Sequence, residues 1–142
     1  MTRPLRVSRF IKSPPERVFA AWTDPDQLLK WWGPRGVQCA RAEMDGRKGG
    51  TYRIDNRLPD GSLVVIAGRF LTWDPPSLLS YTWWVEPGAQ PEAEHVTVHF
   101  AAVESGTNVT VIHERIVDPA VRKSHRAGWE GCLEGLDLHF PG

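Results

Sequence analysis

Histidine titrates near neutral pH and binds metal ions, so the five histidines of this 142-residue chain are the first candidates for chemistry. His95 and His99 have the i, i+4 spacing that brings two ligands together on a helix. They sit, however, in the alternating run HVTVHF, which reads as a strand in which four residues span about 13 Å. They cannot share one ion. His113 lies in NVTVIHE, where alternation places it on one face with Val109 and Val111, opposite Thr110, Ile112 and Glu114. The more apolar set predicts the inner face, and two readings of His113 stay open: a hydrogen-bonded core or rim histidine, or a group that contacts a ligand or transfers a proton. His125 precedes Trp129 by one helical turn, so the pair could contact a bound molecule, or His125 could cap a cavity entrance through backbone hydrogen bonds. Tyr81 and Trp83 share one strand face and read as core or as cavity wall. Arg53 and Asp45 are suited to an ion pair across neighbouring strands.

Other chemistries lack their signatures. The two cysteines, Cys39 and Cys132, lie far apart without a CxxC pair, which supports neither a disulfide framework nor a cysteine-built zinc site. GxSxG, GxxxxGK[ST], HExxH and glycine-rich dinucleotide patterns do not occur. No catalytic residue, metal or cofactor is therefore assigned. A cyclase-type site would still need only a shaped apolar chamber with one or two proton-transfer groups.

The elements that must position these residues follow from periodicity. Val121 to Phe140 repeats at helical spacing, with His125, Trp129, Cys132, Leu133, Leu136 and Phe140 on one stripe. Gly128, Gly131 and Gly135 form a second stripe, each costing about 1 kcal/mol of helix propensity relative to alanine. Tertiary contacts must sustain such a helix, and the missing side chains imply either close packing on a sheet or a cavity beside it. Strand patterns cover Arg6–Lys12, Val37–Asp45, Gly50–Arg57, Leu63–Thr72, Ser77–Val85, His95–Val103 and Asn108–Ile116. Asp60-Gly61 and Ser105-Gly106-Thr107 mark hairpins. After the first strand, Ser13 with Glu16 resembles a capping box before a helix containing Val18, Phe19 and Trp22. Asp24-Pro25 then opens a shorter helix that Gly33-Pro34 ends. The segment Gly88 to Glu94 reads as a mobile loop. The expected architecture is α+β: seven antiparallel strands, two short helices after the first, and the long terminal helix covering one sheet face, in one domain spanning residues 1–142.

Seventeen basic and seventeen acidic residues cancel, so no whole-molecule field draws the chain to nucleic acid or to an anionic membrane. The longest apolar run, Leu63 to Ala67, is too short to cross a bilayer, and MTRPLRVSRF lacks the apolar core of a signal peptide. A cytoplasmic protein without membrane insertion is expected. Seven tryptophans either fill the core or line a pocket for a flat, greasy ligand.

Five stretches in order carry a family resemblance: Ser13-Pro14-Pro15-Glu16-Arg17-Val18-Phe19-Ala20-Ala21-Trp22-Thr23-Asp24-Pro25, Leu28 to Pro34, Asp45 to Arg53, Asp74 to Trp83, and His125 to Trp129. Over residues 5–140 the chain resembles the activator of 90-kDa heat-shock protein ATPase homologue family, within the START-like SRPBCC superfamily. The resemblance implies the helix-grip fold, in which a curved antiparallel sheet wraps the C-terminal helix and encloses a cavity. In similar folds the region of Trp31 and Trp32 forms one side of the cavity mouth; because adjacent helical residues point about 100° apart, at least one of the two should be buried, and the other, if exposed, could close over ligand or contact a partner. The superfamily includes lipid carriers, polyketide cyclases and aromatases, and chaperone regulators.

The leading expectation is a noncatalytic protein that binds a small hydrophobic or aromatic ligand between the terminal helix and the sheet. Its contacts would be Tyr81, Trp83, Val98, Phe100, Val111, His113, His125, Trp129, Leu133 and Leu136. The alternatives are a cyclase or aromatase using His113 and Tyr81 in the same chamber, and a regulator of a chaperone ATPase acting through protein contact. A homodimer formed through a strand edge or an exposed tryptophan is a further open possibility.

Overall fold

The computed structural model describes residues 4–33, 36–86 and 93–140. The elements run β1 (Leu5–Ile11), α1 (Pro15–Thr23), α2 (Pro25–Trp31), β2 (Gln38–Met44), β3 (Thr51–Arg57), β4 (Leu63–Asp74), β5 (Leu78–Val85), β6 (Glu94–Val103), β7 (Gly106–Glu114) and α3 (Pro119–His139). All neighbouring strands pair antiparallel in the order β1-β7-β6-β5-β4-β3-β2. Successive hairpins thus build the sheet, and β1 closes onto the last strand. The sheet is curved, and α3 lies in its concave face as in a helix grip.

Strand alternation decides which side chains meet that helix. On β7, Val109, Val111 and His113 are buried while their neighbours are half-buried or exposed. Val96, Val98 and Phe100 do the same on β6, and Leu79, Tyr81 and Trp83 on β5. Trp129, Cys132, Leu133 and Leu136 of α3 complete this core. Trp22 stacks near-parallel on Trp129 at 6.1 Å between centroids and meets Trp31 at 5.2 Å, so α1, the end of α2 and α3 share one aromatic cluster. Each such pair adds about 0.5–1.5 kcal/mol beyond its buried area.

Helix starts depart from expectation in one place. Pro14, not Ser13, precedes α1 and supplies no side-chain cap. Ser13 is turned inward, its hydroxyl buried without a partner among the described residues, while its carbonyl accepts a 2.7 Å bond from the Thr107 hydroxyl. Tertiary pairing with β7 has overridden the local capping signal. Asp24 and Asp118 do cap, their carboxylates accepting from Asp26 N and Ala120 N to start α2 and α3. The expected Arg53–Asp45 pair is replaced by two same-strand or same-turn pairs, Arg53–Asp55 at 2.9 Å and Arg47–Asp45 at 3.0 Å.

The C-terminal half of α3 is fastened from three sides. Asp137 accepts from Arg9 of β1 at 2.9 Å, His139 meets Gln27 of α2 at 3.0 Å, and the Arg17 guanidinium lies over the Phe140 ring. Gly135 belongs to this fastening, since a Cβ there would stand 2.6 Å from the Trp31 carbonyl oxygen. At Gly128, two turns earlier, a Cβ would meet nothing within 4 Å. The glycine stripe therefore serves close packing at one end and borders open space at the other. No described helix is long and apolar enough to cross a membrane.

Candidate ligand-binding site

The open space is a cavity of about 230 Å³ under the N-terminal half of α3. Val64 and Ile66 of β4, Trp83 and Val85 of β5, and Leu58 after β3 form its sheet side. His125, Gly128, Trp129 and Cys132 form its helix side, and Trp32 with Val37 closes the flank. The sheet contributes here because these residues stand at adjoining strand ends with inward parity, where the helix is not pinned. Asn56, also in the lining, is fully committed: its Oδ1 accepts from the Trp32 indole at 2.9 Å, and its Nδ2 donates to the Ile54 and Val64 carbonyls. It thereby fixes Trp32 as wall. Burial pushes the Cys132 thiol up to about 12, which leaves it an unreactive lining group.

Beside the cavity lies a compact polar cluster. His113 Nε2 is 2.6 Å from Glu94 Oε1, and His125 Nε2 is 3.1 Å from the same oxygen. The Trp129 indole N–H donates to His113 Nδ1 at 2.9 Å. Because Nδ1 accepts, Nε2 carries the ring hydrogen and donates to Glu94. Burial opposes ionisation of the Glu94 carboxyl, but the hydrogen bonds and charge of His113 and His125 outweigh it and hold the group at about 2. Burial likewise pushes His113 below its ordinary value, against the pull of Glu94 and with that of His125. A neutral His113 donating to an anionic Glu94 satisfies both directions.

Glu94, His113 and His125 also form a group whose ligand atoms lie within 4.8 Å of one another, as a metal site would require. The geometry does not fit one. The two imidazoles stack with centroids 4.6 Å apart and planes only 17° from parallel, so no ion can lie in both ring planes as imidazole ligation demands. A metal on His113 Nε2 would also need a hydrogen on Nδ1, facing the Trp129 N–H donor-to-donor. The cluster is a hydrogen-bonded device, with Trp129 selecting its tautomer.

The ten expected contact residues divide. Trp83, His125 and Trp129 line the cavity. Val98, Phe100, Val111 and Leu136 do not, because they interlock in solid core beneath the middle of α3 and are at most 2% exposed. Leu133 is buried against that core and borders a second, larger pocket of about 670 Å³ between β1 and the other flank of α3. Tyr81 faces a void of about 10 Å³, too small for a guest, and its hydroxyl is pushed well above its ordinary value by burial. His113 stands behind Trp129 and His125, with no exposed surface and both nitrogens engaged. Of the two expected mouth residues, Trp32 borders the cavity, whereas Trp31 turns into the core and donates its indole N–H to the Ala21 carbonyl. Both tryptophans are buried, at 4% and 5% exposed, so neither is left exposed at the surface. His125 bonds a carboxylate, not backbone.

Glu94 is the functional residue that sequence reasoning placed elsewhere. It opens β6 instead of ending a loop; of that loop, residues 88–92 lie outside the described residues and Ala93 is buried. The signal was present: Phe100, Val98 and Val96 point inward, and one further step of two reaches Glu94, which pairs in register with Trp83.

Comparison with known proteins agrees with this architecture. A protein from Chromobacterium violaceum of known structure superposes with a TM-score of 0.82 at 24% identity, covering 99% of each chain. The AHSA1 protein of Silicibacter pomeroyi gives 0.83 at 24% identity over 96% of each chain, and a protein from Nitrosomonas europaea gives 0.81 at 24% over 96% of this chain and 92% of that one. These likenesses show the fold. No curated protein matches the sequence. The model of the family described as Activator of Hsp90 ATPase homolog 1-like protein matches residues 12–140, and the chain belongs to that family.

Proposed function

We propose that this protein binds a small, neutral, aromatic molecule in the cavity between α3 and the ends of β3, β4 and β5. The supporting observation is the cavity itself: about 230 Å³, lined by three tryptophans and five aliphatic side chains, with a polar cluster at one side. Ligand sites combine apolar walls with a few placed polar groups. A dry protein cavity of ~150 Å³ already holds benzene, and drug-sized ligands need roughly 300 Å³ or more, so mono- and bicyclic aromatics are the size class. Equilibrium titration with naphthalene tests the reading. Saturable binding of one molecule per chain is expected, and absence of binding at its solubility limit would remove it. The proton-transfer pair of the cyclase alternative, His113 and Tyr81, does not border this cavity, and nothing else favours that alternative.

The family match favours a second reading, regulation of a chaperone ATPase through protein contact. Addition of this protein to an Hsp90-type chaperone should then change its ATP turnover; unchanged turnover together with no complex on gel filtration would discard it.

A further inference from the structure

Two apolar spaces meet at Trp32. One is the cavity of about 230 Å³; the other is the void of about 10 Å³ that Tyr81 faces, walled also by Trp22, Leu28, Tyr52 and Phe70. Among the described residues, only Trp83 of β5 and Trp32 at the end of α2 face both, so their rings form the partition. An apolar void of that size is at the lower limit of the room one water needs, and it adds nothing to the cavity while the partition stands.

The two halves of the partition differ in origin. Trp83 is a residue of the sheet, its inward direction set by strand alternation. Trp32 belongs neither to the sheet nor to α3: it caps α2 with extended backbone, φ −68° and ψ 137°, and its indole enters from the flank. Asn56 Oδ1 accepts from that indole at 2.9 Å, and Trp22 and Trp129 meet it edge-on at 6.1 and 5.8 Å between centroids. Because Asn56 also donates to the Ile54 and Val64 carbonyls, the anchor is itself held at a fixed place on β3.

Building on the binding function proposed above, we infer that Trp32 is the specificity-determining residue of the cavity: its indole closes the way towards Tyr81 and Phe70 and so limits guests to two fused rings. The sheet and α3 do not impose that limit. With a small side chain at position 32, the cavity, the space of the indole and the void become one chamber, closed at its far end by Trp22, Tyr52, Phe70 and Tyr81. Aromatic walls of that kind suit a third ring, through offset or edge-on contacts.

Equilibrium dialysis at pH 8 with quinoline, acridine and phenanthridine tests this; all three are uncharged there, and the last two carry a third ring, fused in line or at an angle. The wild type should bind quinoline at least tenfold more tightly than either tricycle. Trp32→Ala, checked for cooperative unfolding, should bind the better tricycle at least tenfold more tightly than the wild type does, and quinoline no more tightly. Trp32→Phe, which shortens the partition without removing it, should shift the preference about threefold in the same direction and serves if the alanine variant does not fold. Weakening of all three guests together in a folded variant would mark a merely structural role and overturn the inference. So would an unchanged preference in the variant, or a wild type that takes a tricycle as tightly as quinoline; each leaves the cavity reading intact. Failure of the wild type to bind quinoline and naphthalene alike would overturn the cavity reading itself.

Discussion

At the scale of single residues, the account turns on Glu94 and the two histidines that share its Oε1. A buried histidine held neutral has a definite consequence for acid stability. The folded-state value of His113 lies below the ordinary 6.5, so below pH 6.5 the unfolded chain binds more protons and stability falls as pH falls. Glu94, ordinarily near 4.5 and held at about 2, adds a further loss as pH drops below 4.5. His95 and His139, both half-buried, are also lowered by burial and act in the same direction. Urea midpoints should therefore be flat above pH 7 and decline in two stages. His113→Phe strands the Trp129 N–H and leaves the Glu94 oxygen only its His125 donor, costing about 1–3 kcal/mol at pH 7.5, and the decline between pH 6.5 and 4.5 should shrink. An undiminished first stage in that variant would assign it to other groups.

At the scale of elements, α3 combines a pinned half and a free half, and its glycines report the difference. Gly135 admits the Trp31 carbonyl, so Gly135→Ala forces a 2.6 Å contact with backbone that cannot swing away; overpacking should cost about 1–3 kcal/mol despite better helix propensity. Gly128 faces open space, and Gly128→Ala should stabilise by up to about 1 kcal/mol, the propensity term alone. Thermal or urea unfolding of the two variants checks the contrast. Shifts of the same sign would mean that the two ends of the helix are packed alike.

At the scale of the molecule, the periodicities were enough to recover the strand count, the hairpin order and the terminal helix, because alternation and helical spacing are properties of contiguous residues. Boundaries moved by one or two positions where tertiary partners decide them, as with Ser13, whose hydroxyl turned inward while Thr107 took its carbonyl. The site was legible only in part. Trp83, His125 and Trp129 follow from an inward stripe, which names every residue facing the helix or sheet opposite, and Trp32 follows from the family resemblance. The same stripe names Val98, Phe100, Val111 and Leu136, and it cannot say at which level helix and sheet part company. That depends on Gly135 seating the end of α2 and on Arg9 holding Asp137, contacts between segments distant in sequence. Asn56, which secures Trp32, was passed over for the same reason.

The central claim is that the unpinned end of α3 leaves room for a guest against β4. Val64 borders that room, half-buried and on the inward face of β4, so Val64→Trp would fill it without removing a core contact. Naphthalene titrations of wild type and Val64→Trp, run beside urea unfolding of both, are the direct measurement. Binding of one naphthalene by the wild type, lost in a variant that still unfolds cooperatively near the wild-type midpoint, is the outcome expected; undiminished binding in the folded variant would place the guest elsewhere and contradict the site.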